Sequence, residues 1–266
     1  MIHFYDLNDG PFKVIKNHQK DIEMRLYDEK RKLLKKDDYI CFTNNVTEES
    51  LFVKIKELHV FNDFEELYKH FPKTRLGYLE NEEANYTDME EYYPQEKQKM
   101  HQVVGIEIEN IDLFDNNIRF AKKDDVNDLL ELLRYVLMVH HQLNPSIFKT
   151  NNSKYDVDAL YELIEKRQII VYDDGILKGH LFYYLNEFEE SGYMHKRKEL
   201  YVDDLVVKED YQRQRIAQNL YNNIRKIAKL LGANYITLNV WNGNKALDFY
   251  QKMGLKVRYY EMEEEL

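Results

Sequence analysis

The stretch from Glu199 to Tyr250 constrains the fold more than any other part of the chain. It opens on Glu199-Leu200-Tyr201-Val202-Asp203-Asp204-Leu205-Val206-Val207, a run rich in β-formers. A basic, polar turn follows, Tyr211-Gln212-Arg213-Gln214-Arg215-Ile216-Ala217, and leads straight into a helix. The apolar residues Ile216, Leu220, Ile224, Ile227, Ala228 and Leu231 share one face of that helix, and Gly232 supplies a left-handed stop. A strand over residues 235–240 and a helix from about Lys245 to Met253, ended by Gly254, come next. In this order the turn's backbone N–H groups and the helix N-terminus converge on a phosphate anion, and diphosphate is the natural guest.

The residues before this stretch extend the same pattern. Ile118-Arg119-Phe120-Ala121 reads as a strand, and Asp124 or Asp125 caps a helix whose apolar face is Val126, Leu129, Leu130, Leu133, Val136 and Leu137. A second helix is expected near residues 158–164. Residues 168–172, the turn Asp173-Asp174-Gly175 and residues 176–185 make a β-hairpin, because an Asp-Gly pair between β-rich runs favours a tight turn. Strand, helices, hairpin, long strand, helix, strand and helix predict an α/β layer structure on a mixed sheet.

The N-terminal part reads differently. It has short β signals at Tyr39-Ile40-Cys41-Phe42, at Leu51-Phe52-Val53-Lys54-Ile55 and at residues 103–108, with helical stretches near residues 64–70 and 89–93. A small mixed β-barrel with peripheral helices fits these signals. The boundary is expected near residues 110–117, where the apolar alternation ends and the polar residues Glu109, Asn110, Asp115, Asn116 and Asn117 precede a new strand. This gives domains at 1–112 and 117–262, in keeping with 266 residues, more than one average domain.

Composition narrows the function classes. No long apolar run is present, so neither a signal peptide nor a membrane span is expected, and a cytoplasmic location follows. Cys41 is the single cysteine, which excludes an intramolecular disulfide and a cysteine-based zinc site. Flanked by Ile40 and Phe42, it reads as a buried structural thiol rather than a nucleophile. No cluster with metal-ligand spacing appears, and His140-His141 alone cannot make one, so no metal is expected. The net charge of −10 disfavours non-specific nucleic-acid binding and leaves cationic amines as substrates. A local basic concentration, Lys13, Lys16, Lys20, Arg25, Lys30, Arg31, Lys32, Lys35 and Lys36, is either a solvated face or a phosphate-facing surface.

With these residues in hand, the C-terminal part resembles the GNAT family of N-acetyltransferases. That family's pyrophosphate loop, Gln/Arg-x-x-Gly-x-Gly/Ala, is matched here by Gln212-Arg213-Gln214-Arg215-Ile216-Ala217, with Arg215 in place of glycine. Arg215 therefore has to hold the glycine-like backbone conformation with its side chain turned outward, or add a guanidinium to the phosphate site, or leave the site unable to bind. Residues 239–255, Asn239-Val240-Trp241-Asn242-Gly243-Asn244-Lys245-Ala246-Leu247-Asp248-Phe249-Tyr250-Gln251-Lys252-Met253-Gly254-Leu255, resemble the family's Asn-x-x-Ala-x-x-Phe-Tyr-x-x-x-Gly-Phe element. The resemblance implies an acyl-CoA N-acyltransferase fold with acetyl-CoA as donor. It also implies that the amides of Leu205, Val206 and Val207 bind the acetyl carbonyl and pantetheine, with Asn239 and Asn244 near that arm and Tyr250 as general acid to the thiol. Tyr250 reads equally as helix packing beside Ala246, Phe249 and Met253.

Acyl transfer to an amine needs one group to take a proton and one to give it. The resemblance places the base at Asp203, with Asp204 or Glu199 as substitutes. The plain alternative is that Asp203 is a solvent-exposed or salt-bridged strand acid. Strand alternation is expected to put Asp203 and Asp204 on opposite faces. His140 and His141, before Asn144-Pro145 and Phe148, fall where the substrate lid of such enzymes lies, so His141 is a candidate substrate contact. A cap or surface role is the alternative.

Residues 1–110 resemble the ASCH domain, a small PUA-like β-barrel related to RNA-binding folds. The family pattern Ile-x-x-Gly-x-Lys-x-x-Glu-x-Arg-Leu is matched by Ile15-Lys16-Asn17-His18-Gln19-Lys20-Asp21-Ile22-Glu23-Met24-Arg25-Leu26. The later Gly-Asp-x-Ile-x-Phe is matched by Asp37-Asp38-Tyr39-Ile40-Cys41-Phe42, so His18 and Asp37 stand where the family has glycine. The resemblance implies RNA or a nucleotide-like ligand, with Lys20, Glu23 and Arg25 lining a polar pocket. A structural Lys20–Glu23 ion pair is the alternative. Some members are amidohydrolases acting on 4-acetylcytidine, with threonine where Glu23 stands.

The combined expectation is an acetyl-CoA-dependent N-acetyltransferase with an RNA- or nucleotide-binding module. Its acceptor would be a small amine, a peptide amine or an RNA-linked amine, and a homodimer is compatible with this. The competing readings are an acetyl-CoA-sensing or RNA-binding regulator without turnover, and a hydrolase centred on Lys20.

Overall fold

The computed structural model describes residues 1–115, 117–150 and 152–264, so Asn116 of the expected boundary lies outside the described residues. The chain divides into two compact units, the first made of residues 1–113 with 230–232 and the second of the other described residues.

In the first unit β1 (Ile2–Leu7), α1 (Asp9–Lys16), β2 (Ile22–Leu26), β3 (Tyr39–Asn44), β4 (Ser50–Phe61), α2 (Phe64–His70), α3 (Gln95–His101) and β5 (Val103–Ile111) follow one another. The strands form one sheet in the order β1-β3-β4-β5-β2, curled into a half-barrel. Only β1 and β3 run parallel. The twelve-residue β4 pairs with both β3 and β5 and carries a bulge between Ile55 and Glu57, which helps a sheet to bend. Phe12 and Ile15, three residues apart on α1, pack with Ile40, Phe42, Val53, Val104 and Ile106. Cys41 is buried within β3. The helix expected near residues 89–93 is instead a 3-10 stretch, Tyr86–Glu91, with α3 following it.

In the second unit come β6 (Ile118–Phe120), α4 (Val126–Leu143), α5 (Val157–Glu165), β7 (Ile169–Asp173), β8 (Leu177–Phe188), β9 (Arg197–Val207), α6 (Ile216–Leu230), β10 (Tyr235–Thr237) and α7 (Ala246–Lys252). The sheet order is β6-β7-β8-β9-β10, antiparallel as far as β9, with β10 parallel to it. Leu129, Leu132 and Leu133 of α4 and Leu160 and Ile164 of α5 pack against Val171, Phe182 and Val206 of the sheet. Each such side chain contributes about 1.5–3 kcal/mol by leaving water. Asp125 does not cap α4. Its carboxylate takes the N–H of Lys122 at 2.7 Å and pairs with Arg119 at 2.7 Å. Among the described residues no helix is long and apolar enough to cross a membrane.

Two departures from the expected pattern shape the functional region. The strand expected over residues 235–240 stops at Thr237, and two residues on the Asn239 N–H is hydrogen-bonded to the Tyr201 hydroxyl. β10 thus meets β9 only at Glu199–Tyr201, while β9 runs on to Val207. The register of β8 against β9 also slips between Phe182/Asp204 and Tyr183/Val202, leaving Asp203 as an extra residue. That bulge overturns the expected alternation: Asp203 and Asp204 both face the side of Phe182.

Candidate functional site

The loop between β9 and α6 is built on two left-handed residues. Arg213 has φ 61° and Arg215 has φ 64°, and α6 begins at Ile216. Arg215 therefore holds the conformation that glycine adopts without strain, and its side chain is exposed, as are those of Gln212, Arg213 and Gln214. Main-chain N–H groups in such a turn point into a concavity continued by the start of α6, where Ile216 is buried and Ala217 half-buried. Gln212 ties the loop down, its amide reaching the Tyr135 hydroxyl at 3.3 Å and the Val207 carbonyl at 3.5 Å.

Beside the loop, residues 202–207 of β9 have no strand on their β10 side among the described residues. Leu205, Val206 and Val207 lie in this stretch. Its other edge is held close to β8: a Cβ on Gly179 would come within 2.7 Å of the Val206 carbonyl oxygen.

The bulge presents the two carboxylates. Asp203 Oδ1 pairs with Lys154 Nζ at 2.7 Å, and its Oδ2 accepts the Tyr155 hydroxyl at 2.7 Å. Asp204 Oδ2 lies 3.1 Å from Nε2 of the fully buried His180. Tyr250, on α7, packs edge-on to Tyr221 and Phe249. Burial, with the Asp204 charge adding to it, pushes the Tyr250 phenol well above its ordinary value. Burial and the Asp203 hydrogen bond do the same to Tyr155. Tyr201 is pushed up to about 12 by burial, with the Tyr184 and Asp203 charges contributing.

The remaining predicted residues divide. Burial lowers the His140 imidazole, with the Asp204 charge opposing it. The Nδ1 of His141 is bound to the Phe148 carbonyl at 2.6 Å, a structural tie behind α4. The side chain of Asn244 accepts the Ala246 N–H at 2.9 Å and so caps α7, while Asn239 meets the Tyr201 hydroxyl. Glu199 is committed to Arg197, Arg258 and Thr237. Lys154, Tyr155 and His180 were not anticipated. Lys154 and Tyr155 sit in a polar connection without periodicity, and the only sequence signal for His180 is a polar residue in an apolar strand.

In the first unit, the Glu23 carboxylate is clamped between Lys20 Nζ and Arg25 Nε, each at 2.8 Å. Burial opposes the charge on Glu23, but Lys20 and Arg25 outweigh it and hold the carboxyl below its ordinary value. The trio is at once an ion-paired cluster and part of the lining of a cavity of about 300 Å³, together with Tyr68, Tyr78, Tyr92 and Tyr93. The Tyr68 and Tyr78 hydroxyls are 2.9 Å apart, and burial together with that bond raises Tyr68. His18 and Asp37, at the other two glycine places, have φ of 58° and 69°. Among the described residues no group of three His, Cys, Asp or Glu side chains could hold a metal ion.

A mixed sheet whose last parallel strand leaves its neighbour early, with a left-handed turn opening a helix beside the gap, is the GNAT architecture, and the half-barrel before it is ASCH-like. Residues 137–255 match the model of the acetyltransferase (GNAT) family, and residues 7–112 match that of the ASCH domain. The chain therefore carries an ASCH domain followed by a GNAT acetyltransferase domain.

Among solved structures, the chain is similar to a tetramutant of the BH1408 protein from Bacillus halodurans, with 23% identity over 56% of this chain and 99% of that one and a TM-score of 0.54. It is also similar to an aminoglycoside acetyltransferase from an uncultured soil metagenomic sample, solved with sisomicin, with 20% identity, coverage of 56% and 95%, and a TM-score of 0.42. A third is protein PF0455 from Pyrococcus furiosus, with 31% identity, coverage of 42% and 99%, and a TM-score of 0.35. The first likeness bears on fold alone. No curated protein matches the chain.

Proposed function

We propose that the second unit is an acetyl-CoA-dependent N-acetyltransferase that moves acetyl to a primary amine by direct attack in a ternary complex. The observation that carries this reading is the loop over residues 212–217, where Arg213 and Arg215 take left-handed conformations immediately before α6. Its N–H groups would receive the pyrophosphate. The arm of the donor would run along the unpaired stretch of β9 at Leu205, Val206 and Val207, with Asn239 and Asn244 on its far side. Acetyl-CoA supplies the activated acyl group.

Asp203 would hold the acceptor's ammonium and take one proton from it, which frees the nitrogen lone pair to attack the thioester carbon. The C–N bond would form and the C–S bond break, the departing thiolate would take the Tyr250 proton, and the second nitrogen proton would return through solvent to the Tyr250 phenolate. A phenol held above its ordinary value stays protonated at neutral pH and is ready to give that proton. The test is calorimetric titration of acetyl-CoA into the full-length protein, with desulfo-CoA for comparison. Micromolar binding followed by transfer to a primary amine is expected; absence of binding would remove the proposal.

For the first unit we propose a nucleotide-like ligand, held in the cavity that Lys20, Glu23 and Arg25 line and that four tyrosines wall. With Lys20 ion-paired to Glu23, where the hydrolytic members have threonine, binding is favoured over hydrolysis. Titration with nucleosides and short RNAs, expected to be weakened by Arg25→Ala, tests it.

A further inference from the structure

A primary amine of the chain itself already sits at the acceptor carboxylate. Lys154 Nζ is 2.7 Å from Asp203 Oδ1, 3.3 Å from the Asp203 carbonyl oxygen and 5.7 Å from the centroid of the Tyr155 ring. The second carboxylate oxygen is occupied by the Tyr155 hydroxyl. Tyr184 and Tyr201, with ring centroids 5.0 Å apart, lie where the Asp203 charge acts on both. A carboxylate, a main-chain carbonyl and aromatic faces are together the recognition chemistry of a primary ammonium.

The two partners differ in access. The Asp203 side chain is 9% exposed and that of Lys154 46%, so the amine reaches into a nearly closed carboxylate from the solvent side. Lys154 lies between α4 and α5, outside regular structure. Asp203 is the bulge residue within the unpaired stretch of β9, two residues before Leu205, and successive Cα atoms are only about 3.8 Å apart. The amine is thus held within about two residues of the place assigned to the thioester.

We infer that Lys154 is an acceptor in cis: the site acetylates its own Lys154 ε-amine. The inference rests on the N-acetyltransferase reading. One ammonium proton passes to Asp203 and frees the Nζ lone pair, which attacks the thioester carbon; the C–N bond forms, the C–S bond breaks, the thiolate takes the Tyr250 proton, the second nitrogen proton returns through solvent to the Tyr250 phenolate, and Asp203 gives its proton to solvent. The product is a neutral amide that no longer pairs with Asp203, so one transfer in cis leaves the carboxylate and its phenols free for an external primary amine.

The experiment incubates the full-length protein with isotope-labelled acetyl-CoA and maps acetyl groups by peptide mass spectrometry, beside calorimetry of acetyl-CoA binding and an assay of transfer to spermidine. The expected result is labelled acetyl on Lys154, gained at a rate independent of protein concentration and about tenfold or more above that of other lysines. Asp203→Asn and Tyr250→Phe should remove the label while still binding acetyl-CoA. Binding and transfer to spermidine without label on Lys154 would overturn the inference and leave the acetyltransferase reading standing. Label on Lys154 that persists at the same rate in Asp203→Asn would overturn it as mere chemical acylation. Absence of both binding and transfer would remove the two readings together.

Discussion

Asp203 and Asp204 are adjacent and share a face of the sheet, yet they have separate partners. Asp203 meets a lysine and a phenol at its two oxygens, whereas Asp204 meets a buried imidazole and acts on Tyr250 through its charge. Tyr250→Phe should lower kcat about 100-fold while leaving acetyl-CoA affinity within about twofold, by steady-state kinetics and calorimetry. Because the phenol lies above its ordinary value of about 10, kcat should show no alkaline loss due to Tyr250 below about pH 10. An alkaline limb near neutrality that vanishes in Tyr250→Phe would contradict this assignment. In the first unit, Glu23→Gln strands the buried Lys20 and the partly buried Arg25 and should destabilise that unit by about 3–5 kcal/mol in urea denaturation. Glu23 is depressed on folding. Its contribution is therefore full above the unfolded value of about 4.3 and is lost as pH falls through the lower folded value, an acid-side loss that Glu23→Gln should abolish.

At the scale of elements, the loop over residues 212–217 was legible as a polar turn opening a helix, with Arg215 standing where the resembling family has glycine. Its backbone takes the glycine conformation, at a cost of about 1 kcal/mol for an arginine. Arg215→Gly should keep acetyl-CoA binding and hold or raise the melting temperature. Arg215→Val, whose branched Cβ resists positive φ, should lower both. The hairpin of β7 and β8 was legible from Asp-Gly, and α4 and α6 from their apolar spacing. What escaped was whatever sequence alternation cannot carry: the bulge at Asp203, a slip against β8, and the early end of β10 at Thr237. β2 was hidden because the charged Glu23 occupies a buried place, and α3 because a polar helix with only Gln98 buried has no apolar stripe.

For the whole molecule, two compact units imply that unfolding need not be a single transition. Calorimetric melting should resolve two steps, and acetyl-CoA at about 100 times its Kd should stabilise only the step belonging to residues 114–264, by about 2.7 kcal/mol. Equal stabilisation of both steps would count against a donor site confined to that unit. Nothing in the composition announced which ligand each unit takes. The net charge of −10 is a sum over both, whereas the groups that would recognise a ligand are local: one paired carboxylate in the second unit and one clamped carboxylate in the first.

The chain holds 9 glycines in 266 residues, about half the usual share of roughly 7%. Its left-handed turns are made largely by other residues: His18, Asp37, Glu48, Gln102, Asn117, Arg167, Arg213 and Arg215 all have φ between 55° and 69°. Strain of about 1 kcal/mol at each is a sizeable fraction of the 5–15 kcal/mol that separates a folded chain from an unfolded one. The consequence is low mutational robustness. A destabilising change that a glycine-rich homologue would absorb should tip this chain toward unfolding, and glycine at these eight places is where a protein engineer would restore tolerance before altering either site.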